Sequence, residues 1–225
     1  MKKVYVIGIL FLCVLLIWSS IVSCILSEEE QGAPRKQQQE QEEKETQEQE
    51  VRRVQSLINN IPLESYNTYH TLIAKAEEAE EAYNNLSEKQ KQQISNYDRI
   101  EKAKTISELE ERKFWAAYYL RRTIQSSLIN ASSYEEYSYA CTIYYDTALN
   151  NPVCCYVAVR FSATNRLGGR IDSSDSAFYK TDNDGHWEKI YNPDEYEELK
   201  ESGILIENGL QLYNARKELQ NGVGK

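Results

Sequence analysis

Residues 28–50 separate the N-terminal segment of this 225-residue chain from the part that can fold, because they contain no side chain that could build a core. The stretch holds nine Glu and seven Gln, and it lacks Val, Ile, Leu, Met and aromatic residues. Such a segment cannot bury enough apolar surface to offset the entropy lost on ordering. We therefore predict a disordered, solvated tether over residues 25–50, with the folded part following it. Helix is the alternative there, because Glu and Gln are good helix formers, although nothing would pack against it.

The segment before the tether, residues 1–24, predicts export as a signal peptide or membrane anchor. Two lysines precede an uncharged, mostly apolar run over residues 4–22. The run closes in Ile-Val-Ser-Cys, which resembles the lipobox of bacterial lipoproteins and makes Cys24 the expected site of lipid attachment. Because the uncharged residues continue to Leu26, an uncleaved membrane-spanning helix is the alternative. Either form predicts location at the cell membrane, facing its extracytoplasmic side.

Charge and cysteine usage exclude several classes of protein. A formal net charge of −9 argues against binding nucleic acid by neutralising phosphates. Three cysteines lie after the tether, and this odd number is not typical of a disulfide-stapled scaffold. A bridge between Cys141 and Cys155 stays open, because both side chains are expected on one face of neighbouring strands. The sequence contains no glycine-rich phosphate loop, and we predict no cofactor.

Residues 51–112 carry the apolar periodicity of helices. Residues at positions 51, 54, 58 and 61 form one helix stripe, and a second stripe runs from Leu72 to Leu86. The sequence VQSLINNIP followed by AEEAYNNLSEKQKQQISNYDRIEKA resembles a helical module of surface proteins from Gram-positive bacteria. That resemblance implies a spacer or interaction element without catalytic residues. A longer helix is expected to continue from Asp98 to about Leu128.

Residues 113–225 show the alternation of strands. Odd positions in YSYACTIYY and VCCYVAVRF are almost all apolar, which predicts a half-buried antiparallel hairpin. Two further strands are expected near Ser176–Thr181 and His186–Tyr191, then helices over 194–202 and 210–220. An Asn-Gly hairpin at 208–209 is the alternative to the last helix. The fold class is thus α+β: a helical hairpin or bundle leading through a long helix into a small β-meander packed on helix.

Two short stretches of this domain carry a second resemblance. SSYEEYS and VRFSATNRLGGRID are similar to small extracytoplasmic domains of unassigned function in envelope proteins of Firmicutes. This resemblance implies no activity.

The candidate chemistry is sparse. Cys154 or Cys155 could form a nucleophilic pair with His186, although no signature of a thiol enzyme surrounds them. Aligning Gly185 with the glycine of a calcium loop places Lys180 at the first ligand position, so we predict a plain turn there and no metal site. Exposed aromatic residues could form a contact surface, with Tyr144 and Tyr156 as the best candidates because they lie opposite the core set. The other tyrosines considered for this surface are Tyr118, Tyr119, Tyr134 and Tyr137.

These observations favour a membrane-anchored, non-enzymatic binding or interaction protein of the cell envelope. The expected partners are the membrane and an envelope protein or cell-wall glycan. Two alternatives remain: an envelope enzyme such as a wall hydrolase with an unrecognised site, and a structural accessory of an envelope complex.

Overall fold

The computed structural model describes residues 38–64 and 68–222, so the apolar run, Cys24 and the start of the tether lie outside the described residues. The chain divides into two compact units. The described part of the first unit comprises residues 38–53 and Leu86–Gln93, and the second comprises Val54–Asn85 and the chain from Ile94 onward. Among the described residues, no helix has both the length and the apolar character that crossing a bilayer requires.

The first unit combines the start of helix α1 (residues 38–59) with the short helix α3 (Glu88–Lys91). Ser87 and Gln90 form the capping box that begins α3, and the amide of Gln90 donates to the carbonyl oxygen of Gln47 at 3.3 Å. Residues 38–50, assigned by their composition to a disordered tether, are helical here. Every one of them is exposed. Glu and Gln are good helix formers, so this stretch adopts helix without a core of its own.

The α-helices of the second unit that precede the sheet are the end of α1, then α2 (Tyr69–Asn84) and α4 (Asp98–Ser127). The predicted apolar stripes are buried along α1 and α2, and α2 packs against α4. The guanidinium of Arg99 donates to the carbonyl oxygen of Ile61 at 2.7 Å and so fixes the end of α1. The predicted boundary between residues 112 and 113 falls inside α4, which runs without interruption from the helical part into the sheet part.

A five-stranded antiparallel sheet follows α4. Its strands are β1 Glu135–Tyr145, β2 Pro152–Thr164, β3 Arg170–Thr181, β4 Trp187–Ile190 and β5 Ile204–Ile206. They lie in the spatial order β4-β3-β2-β1-β5, and the first four form the predicted meander. The predicted α+β fold, with a long helix leading into a β-meander packed on helix, is confirmed.

The main core lies between one face of this sheet and α4. Alternate residues of β1 and β2 point to that face, and they meet the apolar stripe of α4 from Leu109 to Ile124. Arg216 of α6 (Gly209–Gly222) closes one edge, because its guanidinium binds both carboxylate oxygens of Glu108 at 2.7 and 2.9 Å. This ion pair attaches α6 to α4.

Helix α5 (Pro193–Ser202) covers part of the opposite face of the sheet. The ring of Tyr196 stacks on Phe178 with centroids 4.2 Å apart. Cys154 is buried beneath this helix, in the small cluster that also contains Ile190. Val153, predicted on the core face, packs against this second cluster instead, because an irregularity in β1–β2 pairing between Tyr144 and Tyr145 shifts the alternation there.

The chain after α5 differs from the Asn-Gly hairpin alternative. Residues Ile204–Ile206 form strand β5, which pairs with β1, and α6 begins directly afterwards. The side chain of Asn208 accepts a hydrogen bond from the backbone N–H of Gln211 at 2.9 Å, as a helix-capping residue does. The preferred prediction of a helix over 210–220 is therefore confirmed, and its start lies at Gly209.

Candidate binding site

Helix α4 presents a row of exposed aromatic side chains. Trp115, Tyr118 and Tyr119 are 42%, 37% and 38% exposed. Residues three and four apart share one face of a helix, so the three rings lie on the same side of α4. Large aromatic rings left at the surface are typical of contact surfaces, because one side chain supplies both an apolar face and a polar tip.

The rings of this row hold one another in place. Trp115 meets Tyr118 edge to face, with centroids 5.4 Å apart and planes at 81°. Tyr118 and Tyr119 are arranged in the same way, at 5.9 Å and 71°. Edge-to-face pairs are favourable arrangements of aromatic rings. The row is therefore pre-organised to a degree that three isolated exposed side chains would not be.

A cleft of about 460 Å³ lies beside the row and is called here the aromatic cleft. Its volume is within the roughly 300–1,000 Å³ range of small-molecule sites. One wall is α4 and the other is the turn that joins β3 to β4. The residues that line it are Glu108, Glu111, Arg112, Trp115, Tyr119, Gly185, His186 and Trp187.

Two hydrogen bonds attach the turn to the helix. Nη1 of Arg112 donates to the carbonyl oxygen of Gly185 at 2.7 Å, and the indole Nε1 of Trp187 donates to the backbone carbonyl oxygen of Arg112 at 3.0 Å. Gly185 has a φ of +80°, a conformation that favours glycine in a tight turn. The two walls of the cleft are thus fixed to each other through Arg112.

The two carboxylates that line the cleft differ in whether they have an ion-pair partner. Glu108 is neutralised by its two hydrogen bonds from Arg216. The carboxylate of Glu111 has no hydrogen-bond or ion-pair partner among the described residues. Burial, with a further contribution from the Glu111 charge, raises the pKa of Tyr69 above its ordinary value. The cleft therefore offers a free acceptor, Glu111, near the remaining donors of Arg112.

The two tyrosines favoured by the sequence lie elsewhere. Tyr144 and Tyr156 are half-buried on the opposite face of the sheet, where they pack against the cluster beneath α5. Tyr144 meets Tyr196 edge to face at 6.4 Å, and Tyr156 contacts Phe178 at 5.3 Å. Their assignment as contact residues stays a prediction. In the structure, both rings also help to pack α5 on the sheet.

Two other candidate tyrosines are hydrogen-bonded to carboxylates. The hydroxyl of Tyr137 donates to Asp172 at 2.9 Å. The hydroxyl of Tyr134 donates to Glu136 at 3.0 Å, and Arg121 donates to the same carboxylate at 2.8 Å. Burial, together with the bond to Glu136, raises the pKa of Tyr134 to about 12. Only Tyr118 and Tyr119 of the six candidates belong to the row on α4.

The thiols and His186 do not come together. Cys154 and Cys155 are buried within the sheet, whereas His186 is exposed on the β3–β4 turn and, in the described part of the chain, contacts neither thiol. Burial raises the pKa of Cys154 to about 11. Burial, followed by a hydrogen bond with Cys141, also raises the pKa of Cys155. Protonated, buried thiols are poor nucleophiles.

Cys141 and Cys155 are free thiols in diagonal positions of the β1–β2 ladder. Val157 is the direct partner of Cys141, and Ile143 is the partner of Cys155. Diagonal neighbours have Cα atoms about 7–8 Å apart, beyond the usual reach of a disulfide. The bridge that the sequence leaves open is not formed.

The β3–β4 turn also gathers three potential metal ligands, Asp182, Asp184 and His186, all exposed. One carboxylate oxygen of Asp182 accepts from the backbone N–H groups of Asp184 and His186 at 2.9 and 2.8 Å. The bond from His186, with a smaller contribution from that of Asp184, lowers the pKa of Asp182. These bonds give Asp182 the role of shaping the turn.

Comparisons with known proteins add no assignment: no family model, no curated protein and no solved structure matches the chain. The interpretation of the aromatic cleft rests on its own geometry. Sequence reasoning selected Tyr119 but missed Trp115, Glu111 and Arg112 as a group. Their spacing of three and four along a predicted helix was the available signal.

Proposed function

We propose that this chain is a non-enzymatic binding protein of the cell envelope, held at the extracytoplasmic face of the membrane, and that it contacts its ligand through the aromatic cleft. The observation that carries the proposal is the row of exposed rings beside a cleft with a free carboxylate. Trp, Tyr and Arg dominate the binding energy of characterised interfaces. In this proposal the residues before the second unit serve as a spacer, and the partner is an envelope protein or cell-wall glycan.

A capture experiment tests the proposal. The full chain in detergent would be immobilised and exposed to solubilised envelope, as wild type and with Trp115→Ala combined with Tyr119→Ala. We expect the wild type to retain a defined component and the double variant to retain at least tenfold less. Both side chains are more than one-third exposed, so the fold should survive, and circular dichroism would check this.

Two further variants localise the contact. Tyr137→Ala removes an exposed ring outside the cleft and should leave capture unchanged. Tyr144→Ala combined with Tyr156→Ala tests the alternative face of the sheet. If capture depends on that pair in a protein that remains folded, the protein binds through the face beside α5 and the assignment to the cleft is wrong. Capture of no component by the wild type would remove the proposal itself.

The anchor is a separate part of the proposal and rests on the sequence around Cys24. A diacylglyceryl-modified cysteine carries two acyl chains, which stable anchoring requires. We expect cells fed a labelled fatty acid to label the wild-type chain and not the Cys24→Ala variant, which should keep the mass of the unprocessed precursor. An unlabelled wild type of full precursor mass in the membrane would instead indicate the uncleaved helix.

A further inference from the structure

The aromatic cleft combines flat apolar surfaces with polar groups at their edges. Trp115 and Tyr119 contribute half-exposed rings, whereas Trp187 is only 8% exposed and forms part of the wall. Its indole N–H is already bonded to Arg112, so Trp187 supplies shape and no donor. A ligand would therefore meet Trp115 and Tyr119 from the solvent side.

The polar groups around the rings include both donors and acceptors. Glu111 provides carboxylate oxygens without a described hydrogen-bond partner. Arg112 donates one described hydrogen bond, from Nη1, and a guanidinium has five N–H groups. The indole N–H of Trp115 has no acceptor among the described residues, and His186 faces solvent with its side chain 71% exposed. The cleft can thus accept and donate hydrogen bonds within one small volume.

The charges of the cleft disfavour ligands with a large net charge of either sign. An anion would meet the free carboxylate of Glu111, and a cation would meet the guanidinium of Arg112. The remaining carboxylate, Glu108, is paired with Arg216 and adds no net charge. A purely apolar ligand would also be disfavoured, because it would cover these polar groups without offering them hydrogen-bond partners.

A saccharide combines hydrogen-bonding groups with an apolar surface, and both complement this cleft. Each of its hydroxyl groups donates and accepts, and its C–H face is flat and apolar. We infer that the aromatic cleft binds an uncharged saccharide, with Trp115 and Tyr119 against the sugar face and Glu111 and Arg112 at its hydroxyls. The inference rests on the proposed function, for which it names the class of ligand.

The test is titration calorimetry on the full chain in detergent with defined oligosaccharides. The probes are tetramers of glucose, mannose and N-acetylglucosamine, with a galacturonic acid tetramer as the charged comparison. We expect at least one neutral tetramer to bind, and the charged tetramer to bind at least tenfold more weakly. Binding by none of the neutral tetramers, or equal binding of the charged one, overturns the inference.

Two substitutions connect binding to the cleft. Trp115→Ala should weaken binding of the neutral tetramer by about tenfold, which corresponds to a loss of about 1.4 kcal/mol of binding free energy. Glu111→Ala should weaken it by a similar factor, and it is the safer variant for folding because Glu111 is exposed. Tyr137→Ala is the matched control and should not change the affinity. Binding unchanged in both cleft variants overturns the inference.

The outcome also separates this inference from the proposed function. If the wild type captures an envelope component in a Trp115-dependent way but binds no neutral tetramer, the ligand class is wrong and the binding function stands. If the wild type neither captures an envelope component nor binds a tetramer, both fail.

Discussion

Gly209, the first residue of α6, lies directly against the backbone of α4. A Cβ atom placed there would sit 2.4 Å from the Cα atom of Ile106 and within 2.9 Å of two atoms of its side chain. Backbone cannot rotate away as a flexible side chain can. The absence of a side chain at this position is therefore what allows α6 to dock on α4.

We predict that Gly209→Ala lowers the free energy of unfolding by about 1–3 kcal/mol, the usual effect of overpacking. Urea denaturation of the full chain followed by circular dichroism would measure it. Gly222→Ala is the matched control, since a Cβ there meets nothing within 4 Å. The control should be neutral or slightly stabilising because Ala is the better helix former. Equal stability of Gly209→Ala and wild type would show that α6 does not need this close approach.

Local patterns predicted the elements well where periodicity and turn chemistry agreed. The long helix that begins at Asp98 and the turn at Gly185 both form where the sequence places them. At Asn208-Gly209 two patterns conflict, because Asn-Gly is typical of a hairpin and the following residues of a helix. The helix forms, and the conflict is resolved by distant contacts of Gly209 and β5 with α4 and β1.

The two strand faces show why burial was harder to predict than strand position. Tyr144 and Tyr156 do point away from the main core, as alternation requires. Alternation does not reveal which helix covers that face, and α5 lies about 40–50 residues further along the chain.

The candidate site also depends on contacts between residues that are distant in the sequence. The helical spacing of Glu111 and Trp115 is visible in the sequence, but the hydrogen bond from Arg112 to Gly185 joins residues 73 positions apart.

Within the second unit, α4 belongs both to the helical part of the fold and to the part that contains the sheet. Its first half packs against α2, and its second half supplies the main core beneath the sheet. The predicted module boundary at residues 112 and 113 lies between these halves. Because α4 is one continuous helix, loss of its contacts with α2 should also disturb its contacts with the sheet. The helical part and the sheet should therefore unfold together.

We predict that a cavity in the helical part destabilises the sheet by the same amount. Leu72 of α2 is fully buried, and Leu72→Ala should cost about 2–5 kcal/mol. Hydrogen-exchange mass spectrometry on the full chain would compare the opening free energy of peptides from α2 and from β2, and both should fall equally. Leu210→Ala, at a position 48% exposed, should change either value by no more than about 0.5 kcal/mol. Unchanged protection of β2 in Leu72→Ala would mean that the sheet is an independent folding unit and that α4 serves as a linker between two domains.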